Sequence, residues 1–235
     1  MRRGVAIVVV VAAVLVAADL AAAQPARGGP ALWRPWHPVL SVGGGWVGRE
    51  SLGTVRAETR ATGLGTLTPS AFPLFTADST LDAGPRAELA LAVPVTRTLL
   101  VEVLGTAARP TLSTAISRDA EGAPATTVTE DIDDYSVGAR VLYDVPRLAF
   151  GGRARPYLLA GGAYVRQLHE DQVLVETGQA WTAGAGLRLW LAGARQGRSF
   201  GATTELAWQW RTGGITFTDG ARGAPSLSLR LFVGL

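Results

Sequence analysis

The sequence contains no cysteine and no lysine. Without cysteine there is no disulfide framework, no thiolate metal site and no thiol nucleophile. All 22 basic residues are arginine, a bias that genome composition explains as well as function does, so it identifies no partner. Charge is sparse: Asp, Glu, Lys and Arg make up 17% of the chain, against roughly 25% in a soluble domain. The formal net charge of +3 is too small for the electrostatic footprint of a nucleic-acid binder. There is no convincing amphipathic helical period, and beyond the N-terminus no apolar run is long enough to cross a bilayer as a helix. Glycine, in contrast, is abundant at 29 residues, without the regular period that collagen requires.

Residues 1–23 read as a secretory signal peptide. Arg2 and Arg3 supply the positive start, Val5 to Ala18 an apolar run of about 14 residues, and Ala21-Ala22-Ala23 the small-residue cleavage pattern before Gln24. A membrane anchor is the weaker reading, because a spanning helix needs about 20 apolar residues and Asp19 interrupts this run. Loss of Arg2, Arg3 and Asp19 takes the net charge from +3 to +2. Residues 24–37 are expected to form a periplasmic N-terminal segment whose Trp33-Arg34-Pro35-Trp36 stretch anchors at the interface, and residues 38–235 a single membrane domain.

That domain shows eight segments of period two, separated by clusters of Gly, Pro, Asp, Ser and Thr. They fall at about 38–49, 85–94, 98–108, 135–144, 156–167, 180–191, 199–211 and 225–235. The last is the clearest: Leu227, Leu229, Leu231, Val233 and Leu235 alternate with Ser226, Ser228, Arg230, Phe232 and Gly234. In the fifth, Tyr157, Leu159 and Val165 are set on the outer row. Connections alternate between short (about 95–97, 145–155, 192–198) and longer (above all 50–84 and 109–134), the mark of an up-and-down barrel in a membrane.

A soluble lipocalin-like barrel also alternates. Three features favour the membrane. The polar rows mix small residues with Arg and Glu, which suits the narrow lumen of eight strands. The segments are long enough for a tilted strand to cross. Aromatic residues collect at segment ends, Trp36, Tyr143, Tyr157 and Phe200 on the short-turn side and Trp46, Tyr135, Trp181, Trp208 and Trp210 on the long-loop side, as two interfacial girdles would require. The expectation is an all-β, eight-stranded antiparallel up-and-down transmembrane β-barrel. Hydrocarbon offers backbone groups no water, so the last strand must close on the first.

The stretches GPRAELALAVPVTRTLLVEVLGTAARP (84–110), RPYLLAGGAYVRQL (155–168), GQAWTAGAGLRLWL (178–191) and PSLSLRLFVGL (225–235) resemble strands of the small outer-membrane β-barrel proteins of Gram-negative bacteria, the class that contains the OmpA transmembrane domain, OmpX, Ail and OmpW. The resemblance covers nearly all of 38–235. It implies residence in a bacterial outer membrane, contact with outer-membrane lipid and lipopolysaccharide, and insertion by the barrel-assembly machinery. The class usually ends on an aromatic residue; here Leu235 stands last and Phe232 lies on the opposite parity.

Chemistry, if present, would sit in the lumen. Arg86, Glu88, Glu102, Arg140, Arg188, Glu205 and Arg230 are expected there as a network of ion pairs. The resemblance to OmpA implies a gated ion path, whereas the narrowness of eight strands favours a plug. His169-Glu170-Asp171 cannot converge, since adjacent strand residues face opposite ways. Lipid A-deacylating barrels carry His and Ser on one strand face, and with Asp171 that motif is missing. Glu130, Asp131, Asp133 and Asp134 read as a solvated loop base, and Gly43-Gly44-Gly45 as a place for close packing. No metal, cofactor, catalytic residue or nucleic-acid partner is expected. The expected role is non-enzymatic, structural or at the cell surface with an unidentified extracellular ligand. The alternatives are a narrow channel or transporter for a small solute, hydrophobic ones included, and, less favoured, a lipid-modifying enzyme.

Overall fold

The computed structural model describes residues 37–61, 70–150, 153–170, 173–192, 199–217 and 220–235. The expected signal peptide and the N-terminal segment through Trp36 lie outside them. Twelve strands follow in order: β1 (Val39–Val47), β2 (Glu50–Ala61), β3 (Ser70–Leu81), β4 (Gly84–Pro94), β5 (Leu99–Ala108), β6 (Thr111–Ser117), β7 (Thr126–Asp131), β8 (Asp133–Asp144), β9 (Ala154–Leu168), β10 (Val175–Ala192), β11 (Phe200–Gly213) and β12 (Arg222–Gly234).

Eight of them close a barrel in the order β1-β4-β5-β8-β9-β10-β11-β12, with every neighbouring pair antiparallel. These eight match the period-two segments. Closure satisfies the backbone of both terminal strands: β1 pairs with β12 from Val39↔Gly234 to Val47↔Ser226, and the Leu235 amide donates to the Pro38 carbonyl at 2.9 Å.

The two long connections are not loops. Residues 50–84 carry β2 and β3, and 109–134 carry β6 and β7; together they form a four-stranded sheet in the order β2-β3-β6-β7. Period two missed them because both faces of this sheet are largely wet, so polar residues occupy both rows. The chain passes from barrel to outer sheet across Gly48-Arg49, Asp82-Ala83, Arg109-Pro110 and Ile132, and β3·β6 continues the wall that β4·β5 begins.

Side chains partition by parity. Outward stand Leu40, Val42, Leu89, Leu91, Val101, Val103, Val137, Leu158, Leu206, Leu227, Leu229 and Leu231, all exposed, Leu206 by 65% and Leu229 by 62%. Inward and buried are Ser41, Glu88, Glu102, Arg140, Arg188, Thr203, Glu205, Ser226, Ser228 and Arg230. This inverts the distribution of a soluble protein, in which such a run of exposed apolar residues would be unstable against water. It is the arrangement that hydrocarbon solvates.

Candidate functional site

The site is the interior of the barrel and the sheet above it. Long lumen side chains need room, and glycine on an adjacent strand provides it. A Cβ on Gly43 would lie 2.6 Å from the Arg230 Cα and 2.9 Å from its Cγ, and one on Gly186 would lie 2.5 Å from the Tyr157 ring. Arg230 thus lies across β1, and Tyr157 across β10. Phe232 lies over Gly201 in the same way.

Three tiers fill the axis. The middle tier joins Arg86, Arg140 and Arg230 to Glu88, Glu102 and Glu205, three charges of each sign. Arg140 pairs with Glu102 and forks onto Glu205 at 2.8 and 2.9 Å. Arg230 pairs with Glu205, reaches both oxygens of Glu102 at 3.2 Å, and approaches Glu88 at 3.5 Å. Arg86 binds Glu88 at 2.6 Å and Gln209 at 3.3 Å. The Tyr157 hydroxyl donates to Glu205 at 2.6 Å. Taking such charges out of water costs several kcal/mol per ion, which forked, multiply hydrogen-bonded pairing offsets.

Towards the short turns, Arg188 sits apart from these six and binds Asp144 at 3.1 Å, with Arg155 at 3.9 Å from the same carboxylate. The surplus positive charge rests on aromatic faces: Arg188 stands 5.1 Å from the Tyr157 ring centroid and Arg155 5.6 Å from that of Trp190. Below and around them lies an apolar cluster that includes Leu100, Leu142, Leu159, Trp190 and Phe232, the last two rings meeting edge to face at 5.9 Å.

Towards the outer sheet, Glu50 and Asp134 meet Arg211 and Arg222. Arg211 pairs with Asp134 and stands 3.7 Å from Glu50, and Arg222 lies 2.9 Å from Glu50. The β11–β12 connection folds over this tier. Arg222 donates to the Ile215 and Gly213 carbonyls, the Ile215 amide donates to Gln167 at 3.0 Å, and the Phe217 amide donates to the Leu52 carbonyl at 3.0 Å. Gly213 and Gly214 make the turn with φ of 71° and 69°. Ile215 then joins Leu52, Leu81, Leu112 and Ile132 in a second apolar cluster across the mouth.

One break interrupts the wall. The β4·β5 ladder ends at Arg86↔Ala108 and the β3·β6 ladder resumes at Leu81↔Leu112. Pro85 and Pro110, which have no N–H, stand in the gap. The recess there, lined by Val47, Glu50, Leu81, Pro85, Pro110 and Arg211, has a volume of about 20 Å³, enough for one water.

Of the expected girdle, Trp46, Tyr135, Trp181, Trp208, Trp210 and Phe200 are exposed on the outer wall, and Tyr143 is half-buried there. Tyr157 is a correction. It points inward and is 1% exposed, because β9 takes the parity opposite to the one expected and places Leu158 and Tyr164 outside. Trp36 lies outside the described residues. Missed by sequence reasoning were Asp144, Asp134, Glu50 and Arg222, which stand at strand ends where they read as turn residues. The acidic knot disperses: Glu130 binds His169 at 2.9 Å, Asp131 and Asp133 flank Arg109 at 3.5 and 3.8 Å, and Asp134 turns inward. Among the described residues no three His, Cys, Asp or Glu side chains are grouped to hold a metal.

No protein-family model and no curated relative matches this chain. Among solved structures it is similar to the N-terminal β-barrel domain of Pseudomonas aeruginosa OprF, with 12% identity over 85% of this chain and 99% of that one, at a TM-score of 0.40. It is similar also to the outer membrane protein OprG of Pseudomonas aeruginosa, with 10% identity over 86% and 97% of the two chains and a TM-score of 0.45. The third is Ail, the attachment invasion locus protein of Yersinia pestis, with 12% identity over 85% and 99% and a TM-score of 0.35.

Proposed function

We propose that this chain spans a bacterial outer membrane as a non-enzymatic structural or surface-interaction protein, a closed barrel that holds a rigid sheet outside the cell. The observation that carries the reading is the filled axis: among the described residues three tiers of paired charges stand between two apolar clusters, while β2, β3, β6 and β7 form a four-stranded sheet on the long-connection side. Its partners are outer-membrane lipid and lipopolysaccharide in the plane of the membrane, the barrel-assembly machinery during insertion, and an extracellular ligand above it.

Two measurements test this. The purified protein in planar bilayers is expected to give no stable unitary conductance; reproducible channels would overturn the plug. Trypsin added to intact cells is expected to cut at Arg118, exposed in the β6–β7 connection, and to spare Arg97 and Arg147 in the short turns at the opposite end. Cleavage at Arg97 or Arg147 with Arg118 intact would invert the topology. A second reading, lateral passage of a small solute through the wall, would use the break between Pro85 and Pro110, whose recess holds about one water and would have to widen. Uptake of such a solute by vesicles containing the protein, abolished by bulk at Pro110, would support it over the first.

A further inference from the structure

The seam between β1 and β12 poses a register problem. A slip of one residue would turn every leucine of β12 into the lumen and is excluded. A slip of two residues is not excluded by pattern. Ser226-Leu227-Ser228-Leu229 repeats with period two, so the shifted strand still sends leucine to lipid and serine to the axis. The facing strand offers Gly43-Gly44-Gly45, which has no side chains to match. Glycine-rich strands of this kind specify register weakly.

Arg230 breaks the degeneracy. It lies opposite Gly43, and its Cα and Cγ occupy the space that a Cβ there would need. From that point its guanidinium bridges the seam. On one side it pairs with Glu205 of β11; across β1 it reaches Glu102 of β5 at 3.2 Å and Glu88 of β4 at 3.5 Å. A two-residue slip would carry its Cα about 7 Å along the strand, beyond the reach of these contacts in their present form. Each slipped register is also obstructed. In one, Arg230 faces Ser41, whose side chain fills the space that Gly43 leaves open. In the other it faces Gly45, where Glu88 and Arg86 already stand 2.9 and 3.2 Å from the Cβ position.

We propose that Arg230 is the register key of the closing seam: its fit over Gly43 and its pairing with carboxylates on both sides select one alignment of the last strand against the first. Of the remaining arginines of the middle tier, Arg86 on β4 also crosses the seam, to the neutral Gln209 of β11 at 3.3 Å, but neither Arg86 nor Arg140 rises from one of the two seam strands.

The absence of cysteine makes the test direct. Leu40 pairs with Val233, and both face outward. In the otherwise unaltered chain, cysteines at 40 and 233 are expected to cross-link in the folded band on gels, and those at 40 and 231 or at 40 and 235 to do so poorly. With Arg230→Met the preference for 40–233 is expected to fall by about tenfold or more, since each charge-assisted hydrogen bond lost is worth at least that factor. Arg140→Met, also buried but on β8 and away from the seam strands, is expected to keep it. If Arg230→Met does not fold, the double substitution Ser228→Arg with Arg230→Ser decides. Ser228 already stands 3.4 Å from Glu205, so the displaced arginine finds a carboxylate. The seam is expected to follow it by two residues, with 40–231 becoming the dominant link. Retention of 40–233 in either seam variant, or a double variant that yields no folded band, would overturn the proposal.

Discussion

At the scale of single residues, the lumen works by pairing a long side chain with an absent one. Gly43→Val would place its Cβ 2.1 Å from the Leu229 carbonyl oxygen and inside the Arg230 side chain, so the barrel is expected not to close. Heat-modified migration on gels, which separates folded from unfolded barrels, checks this. Arg140→Met leaves three carboxylates facing two arginines in the middle tier. It is expected to cost about 3–5 kcal/mol, the range for removing one partner of a buried pair. Adding Glu205→Gln should recover part of that loss, and urea unfolding in detergent micelles would show whether it does. Tyr157→Phe removes one donor to Glu205 and should cost about 2 kcal/mol by the same measurement. The seven expected lumen charges point inward because parity alone decides the face of the wall, and the strand registers bring six of them into one tier. Tyr157 escaped because Tyr157-Leu158-Leu159-Ala160 is apolar on both rows, so nothing in the segment itself distinguishes inside from outside.

At the scale of elements, the eight barrel strands were legible because a wall between hydrocarbon and a packed axis imposes strict alternation. The outer strands were not, because a sheet wet on both faces imposes none. What holds them is pairing: β2 with β3, β6 with β7, and β3 with β6 from Thr76↔Ser117 to Leu81↔Leu112. Excision of the β2–β3 hairpin above Glu50 and Leu81 is therefore expected to leave the barrel folded while exposing β6 and β7 to protease. Faster tryptic cleavage at Arg118 with unchanged heat-modified migration is the expected result. Loss of the folded band would mean instead that barrel and outer sheet fold as one unit. Ile215→Asp should loosen the mouth alone, since it buries a carboxylate among Leu52, Leu81, Leu112 and Ile132.

At the scale of the whole molecule, the outer wall should report its depth in the bilayer. Arginine at Leu229 is expected to cost about 2–4 kcal/mol near the midplane, and arginine at Tyr135, in the girdle, about 1 kcal/mol or less. Guanidinium unfolding from lipid vesicles, followed by tryptophan fluorescence, would measure both. Equal costs at the two sites would contradict the membrane placement. The outer sheet also rises from only half of the circumference. It continues β1, β4, β5 and β8, while β9 to β12 end in the shorter spans 169–174 and 214–221. The molecule is therefore lopsided on its long-connection side, with a tall screen over one semicircle and none among the described residues over the other. On the proposed topology an antibody aimed at His169 and Glu170, at the end of β9, must arrive from the unscreened flank, so a bulky graft at the tip of the screen would shield those residues from one bearing and leave them accessible from the other.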